Sequence, residues 1–281
     1  MIIIKQSSRI KDFIDRQKAL GLITGFVPTM GALHAGHLDL LRISVSQTDM
    51  AICSIFVNPT QFNDQEDYNK YPQTLEQDIR LLERSAAAAV FLPDSVELYS
   101  SGLTGLEKYD LGHLETILEG KYRPGHFQGV CQVMSRLLKL VNPDKLFMGQ
   151  KDYQQCMVVE RLLELLDLDI QLVRCPTVRE PDGLALSSRN LRLQPEQRAV
   201  APVIFHTLRA AKETIVPGDL SVIRKKALAH LERNHFRPDY FEIANAATLE
   251  PVSVWDGRQR LVILVAAFLG DVRLIDNLLV N

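Results

Sequence analysis

Residues 23–37 read Ile23-Thr24-Gly25-Phe26-Val27-Pro28-Thr29-Met30-Gly31-Ala32-Leu33-His34-Ala35-Gly36-His37, and this stretch decides the fold. Residues 23–28 form an apolar run of strand length. A glycine-bearing turn follows, and then apolar spacing through Leu38, Leu41 and Val45 that predicts a helix. A strand, a glycine turn and a helix make the opening unit of a parallel α/β sheet. That unit sets a helix N-terminus, with its free N–H groups and positive dipole end, beyond the C-terminal end of a strand.

Outward from this unit the alternation continues. Strands are expected over 50–57, 88–92, 145–148 and 170–173. Helical spacing returns at Leu75, Ile79 and Leu82, over 130–141 and over 153–166. The reading is an α/β fold: a Rossmann-like parallel sheet with helices on both faces over residues 1–176. The pattern changes near Pro176, and Glu180-Pro181-Asp182-Gly183 is a turn signal. Two helical stretches (195–214 and 220–234) and three strands (240–243, 260–268 and 273–275) then predict a smaller α+β C-terminal domain over 177–281. No repeat or low-complexity segment interrupts the chain.

The bulk properties fit an ordinary globular protein. The chain has 281 residues, 46% hydrophobic and 23% charged, enough for one large or two modest domains. A net charge of -2 gives no electrostatic footprint for nucleic acid or an anionic membrane. Cys53, Cys131, Cys156 and Cys175 form no C-x-x-C pair and lie among apolar residues, so they read as small core side chains. The apolar stretch at residues 1–5 is too short for a signal peptide, and the run 261–269 falls short of the ~20 residues that a membrane helix needs. A cytoplasmic protein is expected.

The chemistry concentrates in loops that follow strands. His34 and His37 are three residues apart at a predicted helix start, so their rings share a face; two imidazoles there can donate to the oxygens of a phosphate under attack. A lone histidine in such a place more often caps the helix or sits on its surface. H-x-G-H after a strand and a glycine turn favours phosphate chemistry. Leu186-Ser187-Ser188-Arg189-Asn190 offers hydroxyls and a guanidinium able to clamp a polyphosphate, with Arg189 neutralising a departing pyrophosphate. In Gly149-Gln150-Lys151-Asp152, Lys151 can reach a phosphate, while Asp152 serves equally well as a helix cap. Asn58-Pro59-Thr60-Gln61-Phe62 and Gln154-Gln155 supply neutral amides, which bind a carboxylate without an ion pair that would quench its nucleophilicity.

These segments, together with E-G-K-Y-R-P-G-H-F-Q-G-V at 119–130 and L-G-D-V-R-L-I-D-N at 269–277, resemble the pantoate–β-alanine ligase (pantothenate synthetase) family over essentially the whole chain. That family belongs to the H-x-G-H nucleotidyltransferase-like, adenylate-forming superfamily. The resemblance implies two steps. Pantoate attacks the α-phosphorus of ATP to give a pantoyl-adenylate and pyrophosphate; β-alanine then attacks the acyl carbon to give pantothenate and AMP. It implies that Met30, Gly31, Ala32, Leu33, His34, Ala35, Gly36 and His37 bind ATP, with Gly149, Gln150, Lys151, Asp152, Val178, Leu186, Ser187, Ser188 and Arg189 completing the nucleotide site. His34, His37, Lys151 and Arg189 would be catalytic. Gln61 and Gln155 would hold pantoate, Gln61 would also approach β-alanine, and Asn58 would join them in binding the substrates and help to complete the nucleotide site. Pro28, Met30, Phe62, Val130, Val133 and Met134 are expected to wall an apolar pocket or simply to pack the core. Mg2+ would arrive on ATP, with no protein metal ligand. A homodimer and a C-terminal domain acting as a lid follow from the same resemblance.

Two departures stand out: Gln150 replaces the family's glutamate in G-E-K-D, and Ala35 sits where an acidic residue is common. They alter local charge and remove no proposed catalytic group. Three other functions compete. A nucleotidyltransferase acting on a phosphate acceptor needs a basic patch rather than the amides Gln61 and Gln155. A tRNA synthetase fragment conflicts with the balanced charge. A nucleotide sensor needs neither both histidines nor Arg189.

Overall fold

The computed structural model describes residues 1–100 and 102–280. They divide into two compact units. The first comprises Met1–Gln150 with Gln154–Pro176, and the second comprises Lys151–Tyr153 with the chain from Thr177.

The first unit is built on strands β1 (Ile2–Ile4), β2 (Thr24–Thr29), β3 (Met50–Ile55), β4 (Ala89–Phe91), β5 (Lys145–Gly149) and β6 (Gln171–Cys175). They form one sheet in the order β1-β4-β3-β2-β5-β6, and each neighbouring pair is parallel. Successive strands step outward from β2 through β3 to β4, and the chain then crosses back to place β5 on the other side of β2. That reversal of direction is the topological switch point where parallel sheets bind ligands. The loops after β3, β2 and β5 are those that carry residues 56–62, 30–37 and 150–152.

The helices of this unit are α1 (Ser7–Ala19), α2 (Ala35–Gln47), α3 (Gln65–Asn69), α4 (Leu75–Glu83), α5 (Ser95–Leu98), α6 (Leu118–Tyr122), α7 (His126–Val141) and α8 (Tyr153–Leu165). Val27, Leu41, Cys53, Leu82, Val90 and Phe147 pack into one cluster beneath them. Strands covered on both faces read as unbroken apolar runs, which is why β2 and β3 show little polar alternation. Sequence periodicity marks no element before residue 23. The structure adds the edge strand β1, three residues paired with β4, and the helix α1. Burial pushes the Cys53 and Cys131 thiols up to about 12, so they stay protonated and packed.

In the second unit, β8 (Phe236–Asn245), β10 (Leu261–Leu269) and β11 (Val272–Val280) form an antiparallel sheet in the order β11-β10-β8, and the short strands β7 (Gly218–Asp219) and β9 (Val254–Trp255) pair separately. Leu208, Leu231, Phe241, Ile243, Ile263 and Val265 lie in its core. The continuous helical stretch expected over 195–214 is instead α9 (Pro195–Val200) and α10 (Val203–Thr214), with α11 (Ser221–Arg233) following. Pro202 lies at the break, with φ -63°, as the N-cap of α10. Proline lacks the N–H that a helix interior needs but fits a helix start. Among the described residues no helix is long and apolar enough to cross a membrane.

Candidate active site

β2 ends at Thr29, whose hydroxyl donates to Ser54 O at 2.7 Å and accepts the Gly31 N–H at 3.3 Å. The chain then turns through Gly31 (φ +79°) and Ala32 (φ +48°), two successive left-handed residues. At Gly31 a side chain is disfavoured twice over. The backbone angle disfavours one, and a Cβ would stand 3.0 Å from Asp78 Oδ2. Asp78, on α4 and 1% exposed, accepts the Ala32 N–H at 3.0 Å and the Leu33 N–H at 2.8 Å. Nothing local in the sequence marks Asp78 for this turn, because the two backbone N–H groups it accepts lie 45 and 46 positions away.

His34 is the N-cap of α2 in extended conformation (φ -137°, ψ 175°) and not a first-turn residue as its spacing predicts. Its Nδ1 accepts the Gly36 N–H at 3.1 Å, and His37 Nδ1 accepts the His34 N–H at 3.3 Å. The ring centroids are 4.0 Å apart. The capping role and the phosphate-facing role are therefore compatible. Both Nδ1 atoms accept backbone protons, so each neutral imidazole carries its own proton on Nε2. Two rings that carry their protons on Nε2 thus lie next to each other at a helix N-terminus.

After β3, Asn58 caps a 3-10 turn, Pro59–Gln61. Asn58 is 1% exposed, and its amide is fully engaged. Nδ2 donates to Gly129 O at 3.1 Å and to Gln61 Oε1 at 3.3 Å. Oδ1 accepts from Tyr99 OH at 2.7 Å and from Thr60 Oγ1 at 3.1 Å. Burial raises the Tyr99 phenol above its ordinary value, which keeps it a donor. Gly129 admits this turn against α7, since a Cβ there would stand 2.1 Å from Thr60 O. Gln61 Nε2 points to Met30 Sδ at 2.8 Å, so the structure brings Met30, Asn58 and Gln61 together.

The motif at 119–130 acquires a structural role here. Arg123 Nη1 lies 3.0 Å from His126 Nε2, and His126 Nδ1 lies 2.7 Å from Gln61 O. Arginine can only donate, so His126 Nε2 accepts and Nδ1–H donates to the carbonyl of Gln61. Glu119, 3.7 Å from Arg123, completes the chain. Val130, Val133 and Met134 are buried on α7, and Phe62 packs edge-on to Tyr68 and Tyr71.

The glutamine pair on α8 separates cleanly. Gln154 is buried and spent: Nε2 donates to Leu114 O at 2.8 Å and Ile117 O at 3.0 Å, while Oε1 accepts the Glu119 N–H at 2.9 Å. Gln155 is half-buried, and no hydrogen bond to another described residue engages its side chain.

In the second unit, Val178 O accepts the Leu186 N–H at 3.0 Å and Arg179 bridges to Ala185, so the turn at 180–183 joins two short antiparallel arms. Ser187 then caps the 3-10 segment Ser188–Arg192, its Oγ accepting the Arg189 N–H at 3.3 Å. Arg179 holds this hairpin with a bidentate pair to the buried Asp276 at 2.6 and 2.9 Å. Asn277 Nδ2 donates to Lys151 O at 2.8 Å, and Lys151 Nζ lies 3.6 Å from Asp152. Motif 269–277 thus anchors both the Ser-Ser-Arg hairpin and the main chain of Lys151, a task that nothing in the motif's own sequence announces. Gly149 ends β5, Gln150 begins the 3-10 turn that follows and Ala35 begins α2, all partly or fully exposed.

A family model described as pantoate-beta-alanine ligase matches residues 2–279. The chain belongs to this family. Among relatives of this ligase family, the pantothenate synthetase of Azobacteroides pseudotrichonymphae is 43% identical over 277 residues, covering 96% of this chain and 98% of the relative. That of Porphyromonas gingivalis strain W83 is 42% identical over 281 residues, covering 99% of each. A crystal structure of the Thermus thermophilus pantothenate synthetase superposes with a TM-score of 0.89 at 39% identity, covering 99% of each chain. A pantoate-beta-alanine ligase from Francisella tularensis, crystallised with β-γ ATP and β-alanine, gives a TM-score of 0.81 at 35% identity, covering 99% of this chain and 97% of that one.

Proposed function

We propose that this ligase condenses pantoate with β-alanine at the expense of ATP, through a pantoyl-adenylate, releasing pyrophosphate and AMP. The observation that carries the reading is the histidine pair, in which both Nδ1 atoms accept backbone N–H groups and both Nε2–H groups are therefore donors. Attack of the pantoate carboxylate on the α-phosphorus builds negative charge on the phosphoryl oxygens. Fixed donors aimed at that charge stabilise the transition state more than the ground state. His34 and His37 take that role, and Lys151 and Arg189 neutralise the β- and γ-phosphates as pyrophosphate leaves.

The remaining nucleotide contacts come from residues 30–37, Gly149, Gln150, Asp152, Val178, Leu186, Ser187 and Ser188. Gln61 and Gln155 orient pantoate, Gln61 also approaches β-alanine, and Asn58 acts through Gln61. The fit to Mg2+ rests on the donor set: imidazoles, amides, hydroxyls and cations, which suit ATP's phosphates better than a bare hard cation. Mg2+ is accordingly carried on ATP by phosphate and water oxygens. Residues 1–176 form the substrate domain and 177–281 a smaller domain that serves as a lid. The enzyme works as a cytoplasmic homodimer without nucleic acid or membrane partners. Four free, buried cysteines support that compartment.

The test is product analysis with ATP, pantoate and β-alanine together. One AMP and one pyrophosphate should form for each amide bond made. Release of ADP and phosphate would sink the adenylate route.

A further inference from the structure

The turn ahead of the histidines has the backbone of an anion site, but a carboxylate of the chain itself fills it. Gly31 and Ala32 are both left-handed, and successive N–H groups in such a turn converge on one anion. That anion is Asp78. It accepts from Ala32 N at 3.0 Å, Leu33 N at 2.8 Å and Thr74 Oγ1 at 3.1 Å, and it is 1% exposed. These three donors are neutral, so the negative charge is held largely by backbone dipoles. The two N–H groups that a glycine turn ordinarily offers to phosphate are therefore spent before nucleotide arrives. What the turn then presents, one residue later, is the N-capping imidazole of His34 and its partner His37.

We propose that Asp78 is a positioning residue for adenylation, a built-in anion that sets the turn and through it the stance of both histidine rings. This rests on the reading that the two imidazoles serve the reacting phosphate. It gives Gly31 a second purpose, because any side chain there would meet the carboxylate. It also implies that the amides of residues 32 and 33 are not donors to the triphosphate, so that these two residues meet the nucleotide through their other atoms. Misplacing a reacting group by ~1 Å can cost ~10²-fold in rate. Loss of the anchor should therefore appear in the adenylation rate and scarcely in the KM for ATP.

The experiment uses Asp78→Ala in the full chain, with formate as a replacement anion and formamide as a neutral control of the same size. Pyrophosphate exchange should fall by ~10²-fold with KM for ATP little changed, and formate should restore it saturably while formamide does not. In parallel, the amide resonances of Ala32 and Leu33 should move on substitution and return toward their parental positions as formate is titrated. Parental exchange in the variant, or amide resonances that ignore formate, would overturn the proposal. If Asp78→Ala does not fold, the isosteric Asp78→Asn decides: slowed exchange with shifted Ala32 and Leu33 amides supports the anchor, and a parental rate overturns it. Should the parent itself exchange no pyrophosphate with any acid, the ligase reading fails, and the formate titration still decides whether the turn holds an anion.

Discussion

Asn58→Ala separates a residue that touches substrate from one that holds another residue in place. The side chain is 1% exposed, and its amide makes two donated and at least two accepted hydrogen bonds within the first unit. Truncation leaves the Tyr99 hydroxyl and the Gly129 carbonyl short of a buried partner, at ~1–3 kcal/mol each. Both groups retain a long contact with Thr60 Oγ1 at 3.4 Å, so the lower half of that range applies to each. The expected destabilisation is ~2–4 kcal/mol in chemical denaturation. Gln61 loses the donor on its Oε1 but keeps Met30 and the His126 bond to its carbonyl. One lost bond of ~1 kcal/mol predicts a rise of roughly 5-fold in the KM for pantoate, with the KM for ATP unchanged. The assay pairs urea unfolding with steady-state kinetics on the same preparation. A variant as stable as the parent but with pantoate binding abolished would mean that Asn58 contacts the acid directly, and would refute the reasoning.

Three further outcomes are expected. His37→Ala should slow adenylation by ~10²–10³-fold while sparing amide formation from synthetic pantoyl-adenylate, measured as separate half-reactions; equal damage to both would assign the histidine to folding. Gln155→Glu sets a charge against the substrate carboxylate, a repulsion of ~4 kcal/mol at ~4 Å and an effective dielectric of ~20, so calorimetry should show pantoate affinity lost and ATP affinity kept. Burial opposes ionisation of Asp144, but hydrogen bonds from Thr24 and the nearby Lys18 outweigh it and hold the carboxyl below its ordinary value. A lowered folded pKa stabilises above the unfolded carboxylate range and is lost as pH falls through and below it. Thermal melts from pH 6 downward should therefore decline less steeply for Asp144→Asn than for the parent.

The parallel core was legible because buried strands and amphipathic helices announce themselves locally, as at residues 50–57 and 75–82. β1 escaped because three apolar residues at a sheet edge carry no period, and α1 because its apolar stripe is narrow: only Ile10 and Ile14 are buried. The break at Pro202 was present in the sequence, and the flanking apolar spacing masked it. At the site, the groups proposed to face ligands were readable as short motifs, whereas those that hold them were not. Asp78, Asp276 and Asn277 act across 45, 97 and 126 positions. Such pairings depend on the finished fold, and no local pattern distinguishes these residues from surface polar groups. His34 illustrates the middle case: helix spacing put both rings on one face, while the structure reaches the same adjacency through a reciprocal cap.

Exchange of labelled pyrophosphate into ATP tests the central claim most directly. The histidine pair and the amides of Gln61 and Gln155, proposed to bind the acid, belong to one compact unit and need no amine to assemble. Exchange should therefore require pantoate and proceed fully without β-alanine, and His37→Ala should suppress it by ~10²-fold or more. Exchange that appears only once β-alanine is added, or that no acid supports, would contradict a free-standing adenylate and the account built on it.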